Sequence, residues 1–211
     1  MRMKKLAILG GTFDPIHMGH IMLADNFKRM LHPDKMIIIP TSTPPHKVGK
    51  HSPEEIRFHM CEIANKDMGS PYEISDIEIK RKGKSYSYDT VVALRKMYPD
   101  YEIYMIVGSD MFITLQSWYK FNELKNSVVF CTSERDDDIK AGQLLSYAEK
   151  LDKIGCRSVV ARFLPLEISS TMLRTAISRG DSIRGMVTPG VERYIYENNL
   201  YVNTSSGVSV I

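Results

Sequence analysis

The sequence predicts an α/β fold: one doubly wound parallel sheet with helices on both faces and a small helical part at the C-terminal end. Three observations predict it. Short apolar runs recur at residues 6–9, 36–39, 102–107, 128–131 and 158–164, and near-continuous apolar strands are those buried on both faces. Segments with helical apolar spacing separate them, so the strands pair in parallel through right-handed crossovers. Several runs end in a glycine or hydroxyl cluster that opens a helix, which is where doubly wound folds keep their ligands.

The first strand, Leu6-Ala7-Ile8-Leu9, runs into Gly10-Gly11-Thr12-Phe13-Asp14-Pro15-Ile16-His17-Met18-Gly19-His20, and a helix is expected over 21–31. Gly10 and Gly11 permit positive φ and a close ligand approach; Asp14-Pro15 is a turn dipeptide. His17 and His20 share a face at helical spacing, near a helix start whose dipole and free N–H groups favour an anion. Gly19 leaves that surface bare. A metal pair is the rival, since zinc takes neutral imidazoles, but no third ligand with suitable spacing lies nearby. The helix stripe is His20, Leu23, Ala24, Phe27, Met30 and Leu31, and His32-Pro33-Asp34 ends it.

After the strand at 36–39 comes a proline-stiffened loop, Pro44-Pro45-His46-Lys47, with Lys47 at a strand's C-terminal edge. It is a solvated loop lysine or a point-charge phosphate clamp. Ser52-Pro53-Glu54-Glu55 reads as a capping box opening the next helix, with a stripe of Ile56, Met60, Ile63 and Ala64. A strand is expected over 72–80, then a solvated basic turn over 80–84. Ser85 to Thr90 enters a helix carrying Val91, Leu94 and Tyr98; its hydroxyls are caps or donors to a carboxylate or ribose. The strand at 102–107 ends in Gly108-Ser109-Asp110, and the single tryptophan, Trp118, follows. Its indole is either core or a stacking surface. The acidic loop at 134–138 could bind a divalent cation but reads first as a solvated loop. After the strand at 158–164, Ser169-Ser170-Thr171-Met172-Leu173-Arg174 is another hydroxyl-rich helix start, with Arg174 in its first turns. A last helix is expected over 188–198.

Length and composition set bounds. At 211 residues and 43% hydrophobic, the chain is expected to form one domain over 1–202, with its C-terminal helical part at about 169–202 and a flexible tail over 203–211. A net charge of +3 does not call for nucleic acid and suits small polyphosphate ligands. Cys61, Cys131 and Cys156 are far apart and form no C-x-x-C, so reduced, buried thiols and a cytoplasmic location are expected. No apolar run is long enough for a membrane span. A homo-oligomer stays open.

These parts suit one chemistry. A nucleoside triphosphate across the first turn can be attacked at its α-phosphate by a second phosphate, with pyrophosphate leaving. The incoming monoester is already ionised, so neither a general base nor a covalent intermediate is required. Catalysis then consists of positioning and electrostatic stabilisation. His17 and His20 could serve one end, Lys47 and Arg174 the departing phosphates, with Mg²⁺ bridging oxygens.

The stretch from Gly10 to His20, with Ile168-Ser169-Ser170-Thr171-x-x-Arg174, resembles the adenylyltransferases of the His-x-Gly-His superfamily. Pro44 to Lys47, Ser85 to Thr90, and Gly108-x-Asp110 followed by Trp118 narrow the likeness to the bacterial nicotinate-nucleotide adenylyltransferase family, across most of residues 4–201. The resemblance implies a Rossmann-like fold and a reaction of ATP with nicotinate mononucleotide, assisted by Mg²⁺ bound with ATP, giving nicotinic acid adenine dinucleotide and pyrophosphate in NAD biosynthesis. It also implies that Gly11, Thr12, Phe13, His17 and His20 face the ATP phosphates, with Ser169, Ser170 and Arg174 opposite. Thr90 and Trp118 would lie on the nicotinate side, and Asp110 would contact ribose or shape that pocket. Ser87-Tyr88 departs from the threonine plus small or aliphatic residue usual there, which leaves the pocket's shape open. The alternatives are nicotinamide mononucleotide or phosphopantetheine as acceptor, or a nucleotide-sensing module without turnover.

Overall fold

The computed structural model describes residues 2–44, 51–134, 138–163 and 166–202. In chain order these form β1 (Lys4–Gly11), α1 (Met18–Leu31), β2 (Lys35–Pro40), α2 (Glu54–Asp67), β3 (Glu73–Ile74), α3 (Ile77–Arg81), α4 (Ser87–Met97) and β4 (Tyr101–Ile106). There follow α5 (Ser109–Phe112), a 3₁₀ turn (Leu115–Ser117), α6 (Phe121–Leu124), β5 (Val129–Glu134), α7 (Asp138–Asp152), β6 (Ser158–Arg162), α8 (Ser170–Arg179) and α9 (Pro189–Glu197). The six strands lie in the order β3-β2-β1-β4-β5-β6, and every neighbouring pair is parallel. The order reverses between β1 and β4. In such sheets the crevice beyond the strand ends at that reversal is the ligand site.

Strand alternation divides the core. Leu6, Ile8, Ile37 and Ile39 face one way and pack with Val91, Leu94, Phe112, Phe121, Leu144 and Leu151 of α4 to α7. Ala7, Leu9, Met36 and Ile38 face the other way and pack with Phe27, Met60, Leu173, Ile177, Val191 and Ile195 of α1, α2, α8 and α9. This is the period of two expected of a pleated strand. Cys61, Cys131 and Cys156 are free and buried. Burial pushes the Cys131 thiol up to about 12 and that of Cys156 up to about 11, so both stay protonated at neutral pH. Among the described residues no helix is long and apolar enough to cross a membrane.

The structure corrects four local expectations. Residues 72–80 are not one strand: only Glu73–Ile74 pair with β2, and the chain turns into α3. Ser52 does not cap α2; Pro53 is the cap residue, with no side-chain bond, and the Ser52 N–H donates instead to Asp14. Met30 is exposed rather than part of the stripe of α1. The basic turn is not wholly solvated, because both terminal nitrogens of Arg81 donate to the Thr90 hydroxyl.

Candidate active site

Two cavities adjoin at the C-terminal edge of β1 and β4. The larger, about 550 Å³, is walled by the starts of α1 and α8 and includes His17, Gly19, His20, Ser169, Ser170 and Arg174. The smaller, about 180 Å³, is walled by the start of α4 and the segment after β4, with Thr90, Tyr86, Trp118 and Tyr119. Thr12 and Gly108 line both, so the two spaces meet at the reversal in strand order. Among the described residues, seven buried side-chain polar atoms lack a hydrogen-bond partner, and five belong to these walls: His17 Nδ1 and His51 Nε2 in the larger, Thr41 Oγ1, Glu78 Oε2 and Trp118 Nε1 in the smaller. Buried polar groups are normally satisfied. Their concentration here sets these walls apart from the rest of the described core.

The helix of the signature starts earlier than expected, at Met18, so His17 is its cap residue and His20 lies one turn in. The two rings stack at 3.6 Å. Phe13 and His20 meet at right angles with ring centroids 4.9 Å apart, so two neighbouring rings hold the His20 ring. The backbone N–H of His17 donates to His20 Nδ1 at 3.3 Å. This is half of a capping box, with imidazole in the usual place of Glu or Gln. It also fixes the tautomer: Nδ1 accepts, so the ring proton sits on Nε2, which is a donor. Burial pushes the His17 ring down to about 4, so at neutral pH His17 is a neutral group and not a cation.

Positive φ falls on Phe13, at 49°, and not on Gly10 or Gly11. A left-handed conformation costs a bulky residue about 1–3 kcal/mol, and the buried ring against His20 offsets it. Gly11 is required for another reason: a Cβ there would stand 2.7 Å from the Phe13 ring. Gly19 makes room chiefly for the His17 ring, 3.1 Å from where its Cβ would be.

Asp14 joins the site's separate segments. Its carboxylate accepts from the Tyr201 hydroxyl at 2.6 Å and the Ser52 N–H at 3.2 Å, and lies 3.4 Å from His51 Nδ1. Its carbonyl accepts from Arg174 at 2.7 Å. Burial would raise this carboxyl, but the Tyr201 and Ser52 hydrogen bonds and the Arg174 charge outweigh it and hold the group below its ordinary range. Arg57 lies beneath, 1% exposed, and donates to the carbonyls of Thr12, Ser42 and Ser52 at 2.7, 2.9 and 2.9 Å.

The remaining expected residues separate into groups. Arg174 reaches the larger cavity from α8 and also donates to Thr171. Ser169 caps α8 through the Met172 N–H at 3.1 Å, and Ser170 donates to the Pro15 carbonyl at 3.0 Å. Both hydroxyls therefore hold the wall together. Gly11 opens on the smaller cavity, not the larger, and the Phe13 side chain is core. Asp110 is exposed on the larger cavity. Thr90 donates to Glu78 at 2.6 Å while accepting from Arg81; burial raises the Glu78 carboxyl against that bond and the Arg81 charge. Trp118 packs edge-on against Phe130 at 6.3 Å and also lines the smaller cavity. Tyr86 stacks on Tyr119 at 4.4 Å, while Tyr88 meets Tyr119 edge-on with Lys120 above it. Lys47 lies outside the described residues, as do residues 135–137 of the acidic loop.

Fold and site together define a class: a doubly wound protein with two adjoining cavities at its topological reversal, each bordered by helix starts. Residues 8–176 match the family model described as cytidylyltransferase-like. A protein of Oceanobacillus iheyensis named "Probable nicotinate-nucleotide adenylyltransferase" is 34% identical over 199 residues, covering 94% of this chain and 97% of its own. One of Clostridium perfringens with the same name is 36% identical over 204 residues, covering 94% and 98%. In fold, the chain is similar to the Plasmodium falciparum nicotinic acid mononucleotide adenylyltransferase complexed with NaAD, with a TM-score of 0.76 at 21% identity and coverage of 94% and 97%. The chain belongs to the cytidylyltransferase-like family and, within it, to the nicotinate-nucleotide adenylyltransferases.

Proposed function

We propose that this chain transfers the adenylyl group of ATP to nicotinate mononucleotide, giving nicotinic acid adenine dinucleotide and pyrophosphate. The observation that carries the reading is the meeting of two unlike cavities at Thr12 and Gly108. A dinucleotide made from two mononucleotide portions needs such a pair of adjoining spaces, with the new phosphoanhydride at their junction.

The larger cavity suits the triphosphate. The starts of α1 and α8 both open on it, and helix N-termini favour anions. His20 offers an Nε2–H donor already oriented by its neighbours, and Arg174 adds a fixed positive charge. Donors aimed in advance at developing charge act without reorganisation. The smaller cavity suits the pyridine: Trp118, Tyr119 and Tyr86 give flat apolar surface, and the start of α4 with Ser87 gives a positive helix end. That polarity favours a carboxylate over an amide. Within this reading Gly11 and Thr12 belong to the junction, Thr90 supports the start of α4, and Asp110 stands where ribose or phosphate would pass.

Mg²⁺ belongs to this reading as a companion of ATP. Of the carboxylates lining the larger cavity, Asp14 is engaged by Tyr201 and Ser52, which leaves exposed Asp110. Among the described residues no cluster could hold a metal alone. One carboxylate with substrate phosphates is a usual magnesium environment, so Asp110 and phosphate oxygens would hold it, and it would neutralise charge on the leaving pyrophosphate. The test is pyrophosphate release from ATP with nicotinate mononucleotide, nicotinamide mononucleotide or phosphopantetheine as acceptor. Turnover is expected with the first. Preference for either of the others, or binding without turnover, would replace this reading with the corresponding alternative.

A further inference from the structure

Glu78 has no part in the chemistry above, yet it stands in the wall of the smaller cavity, and among the described residues lining that cavity it alone is charged. It is 6% exposed. A carboxylate is costly to bury, and burial raises this one against its hydrogen bond to Thr90. Packing alone would be served by an apolar side chain. We propose that Glu78 is a positioning residue for the acceptor: through the Thr90 hydroxyl its carboxylate fixes the first turn of α4, against which the pyridine end of nicotinate mononucleotide is held. The proposal rests on reading the smaller cavity as the mononucleotide side.

α4 begins without a side-chain cap: Tyr86 is the cap residue and makes no such bond. Its first turn is held from outside instead. The Thr90 hydroxyl donates to Glu78 Oε1 at 2.6 Å and accepts from both terminal nitrogens of Arg81 at 3.1 Å. Glu78 and Arg81 both belong to α3, so one hydroxyl, bridging a carboxylate and a guanidinium, ties α3 to α4. The same hydroxyl has a second acceptor within reach, the Tyr86 carbonyl at 3.3 Å. It has one proton, and the shorter, charge-assisted bond to Glu78 takes it. Without Glu78 the proton would turn to Tyr86, the bond to the carbonyl four residues back that bends a helix. Such a bend would be felt at the cavity. Tyr86 and Ser87 line it, and the Tyr86 ring stacks at 4.4 Å on Tyr119, another wall residue. The entry to the helix is pinned separately, since the Ser85 N–H donates to the Thr43 carbonyl and the Ser85 hydroxyl accepts from the Ser42 N–H, both at 2.9 Å. None of Glu78, Arg81, Tyr86, Ser87 and Thr90 lines the larger cavity, so the effect of the link is confined to one side of the site.

The test measures binding of nicotinate mononucleotide and of ATP, each alone, to the full chain by titration calorimetry. E78L fills the space and removes the acceptor, E78Q keeps an oxygen for Thr90, T90V removes the hydroxyl, and E78L/T90V removes both. E78L and T90V are each expected to bind the mononucleotide about tenfold more weakly, the loss of one charge-assisted bond. The double variant is expected to bind it no more weakly than either, because both act through one link. E78Q is expected to bind it as the wild type does, and ATP affinity is expected to be unchanged throughout. Unchanged mononucleotide affinity in E78L overturns the assignment. So does an equal loss for both ligands, which marks a residue of the fold at large. So does an E78Q as impaired as E78L, which marks the charge and not the accepted bond, and so do additive losses in the double variant. Should E78L not fold, T90V decides: a loss confined to the mononucleotide upholds the link, and any other result overturns it. A wild type that binds the mononucleotide but releases no pyrophosphate with ATP would refute the activity and leave this result standing. A wild type that binds no mononucleotide would refute the reading of the smaller cavity, and the proposal with it.

Discussion

Arg57 gives the sharpest test of how the site is held. Its guanidinium donates to three carbonyls, of Thr12, Ser42 and Ser52, which belong to the signature loop, the segment after β2 and the entry to α2. Arg57→Met keeps most of the apolar stem and removes all three donors. An unsatisfied buried acceptor costs about 1–3 kcal/mol, so the gross loss is about 3–9 kcal/mol. Relief of the cation's own desolvation and some entry of water reduce it to about 3–5 kcal/mol, the range seen when one partner of a buried charged network is removed. For a domain of this size each kcal/mol moves Tm by about 2–4 °C, so a fall of about 10 °C is expected by calorimetry or circular dichroism. Because Thr12 is shared by both cavities, KM should rise for both substrates in the fraction that stays folded. Arg57→Lys, with one compact ammonium, should fall between. A Tm shift below about 2 °C for Arg57→Met would refute the account of Arg57 as the residue that fixes these loops.

Asp14 makes a prediction about pH. Its carboxyl lies below the ordinary 3.8 in the folded chain, so its stabilising contribution is complete above that value and lost as pH falls through the lower folded value. Acid unfolding followed by circular dichroism should therefore have a shallower limb below pH 3.8 in Asp14→Asn, with lower stability at pH 7; parallel curves would reject this. His20→Ala should lower kcat by about 10²–10³, with a modest fall in Tm from the lost bond to the His17 N–H, and a pyrophosphate-release assay with turnover near that of the wild type would remove the donor role. Trp118→Ala should weaken mononucleotide binding more than ATP binding in separate titrations, since its ring lines the smaller cavity alone; the reverse order would contradict the division of the site.

The sheet was legible because its strands are long apolar runs buried on both faces. Residues 72–80 misled because a partial alternation over nine residues conceals a two-residue strand followed by a helix, and propensity cannot register that turn. The two histidines and Arg174 were legible from spacing. Arg57 was readable in principle: with Met60, Cys61 and Ala64 it occupies i, i+3, i+4 and i+7 of the buried face of α2, and a charge inside an apolar stripe signals an internal network. Asp14 looked like a turn residue, and nothing local shows that Tyr201, 187 positions away, completes it. Nor could spacing show that His17 is a cap residue whose backbone sets the tautomer of His20.

The hydroxyls around the site carry a consequence for how it works. Ser169 is committed to a helix cap, Ser170 to the Pro15 carbonyl, and Thr90 to Glu78 and Arg81. A hydroxyl has one proton, so Ser170 and Thr90 have already placed their donors within the protein, while Ser169 accepts in its cap and keeps its proton. Among the described residues, the groups that could meet growing negative charge in the proposed reaction are the Ser169 hydroxyl, imidazole N–H, the Arg174 guanidinium and the backbone at two helix starts. All of these are fixed before substrate arrives: His20 against Phe13 and His17, and Arg174 on the Asp14 carbonyl. With His17 neutral at working pH, the proposed site would meet a triphosphate with oriented dipoles as well as with the Arg174 charge. Oriented dipoles stabilise the transition state without first trapping the polyphosphate product, and pyrophosphate must leave for turnover to continue.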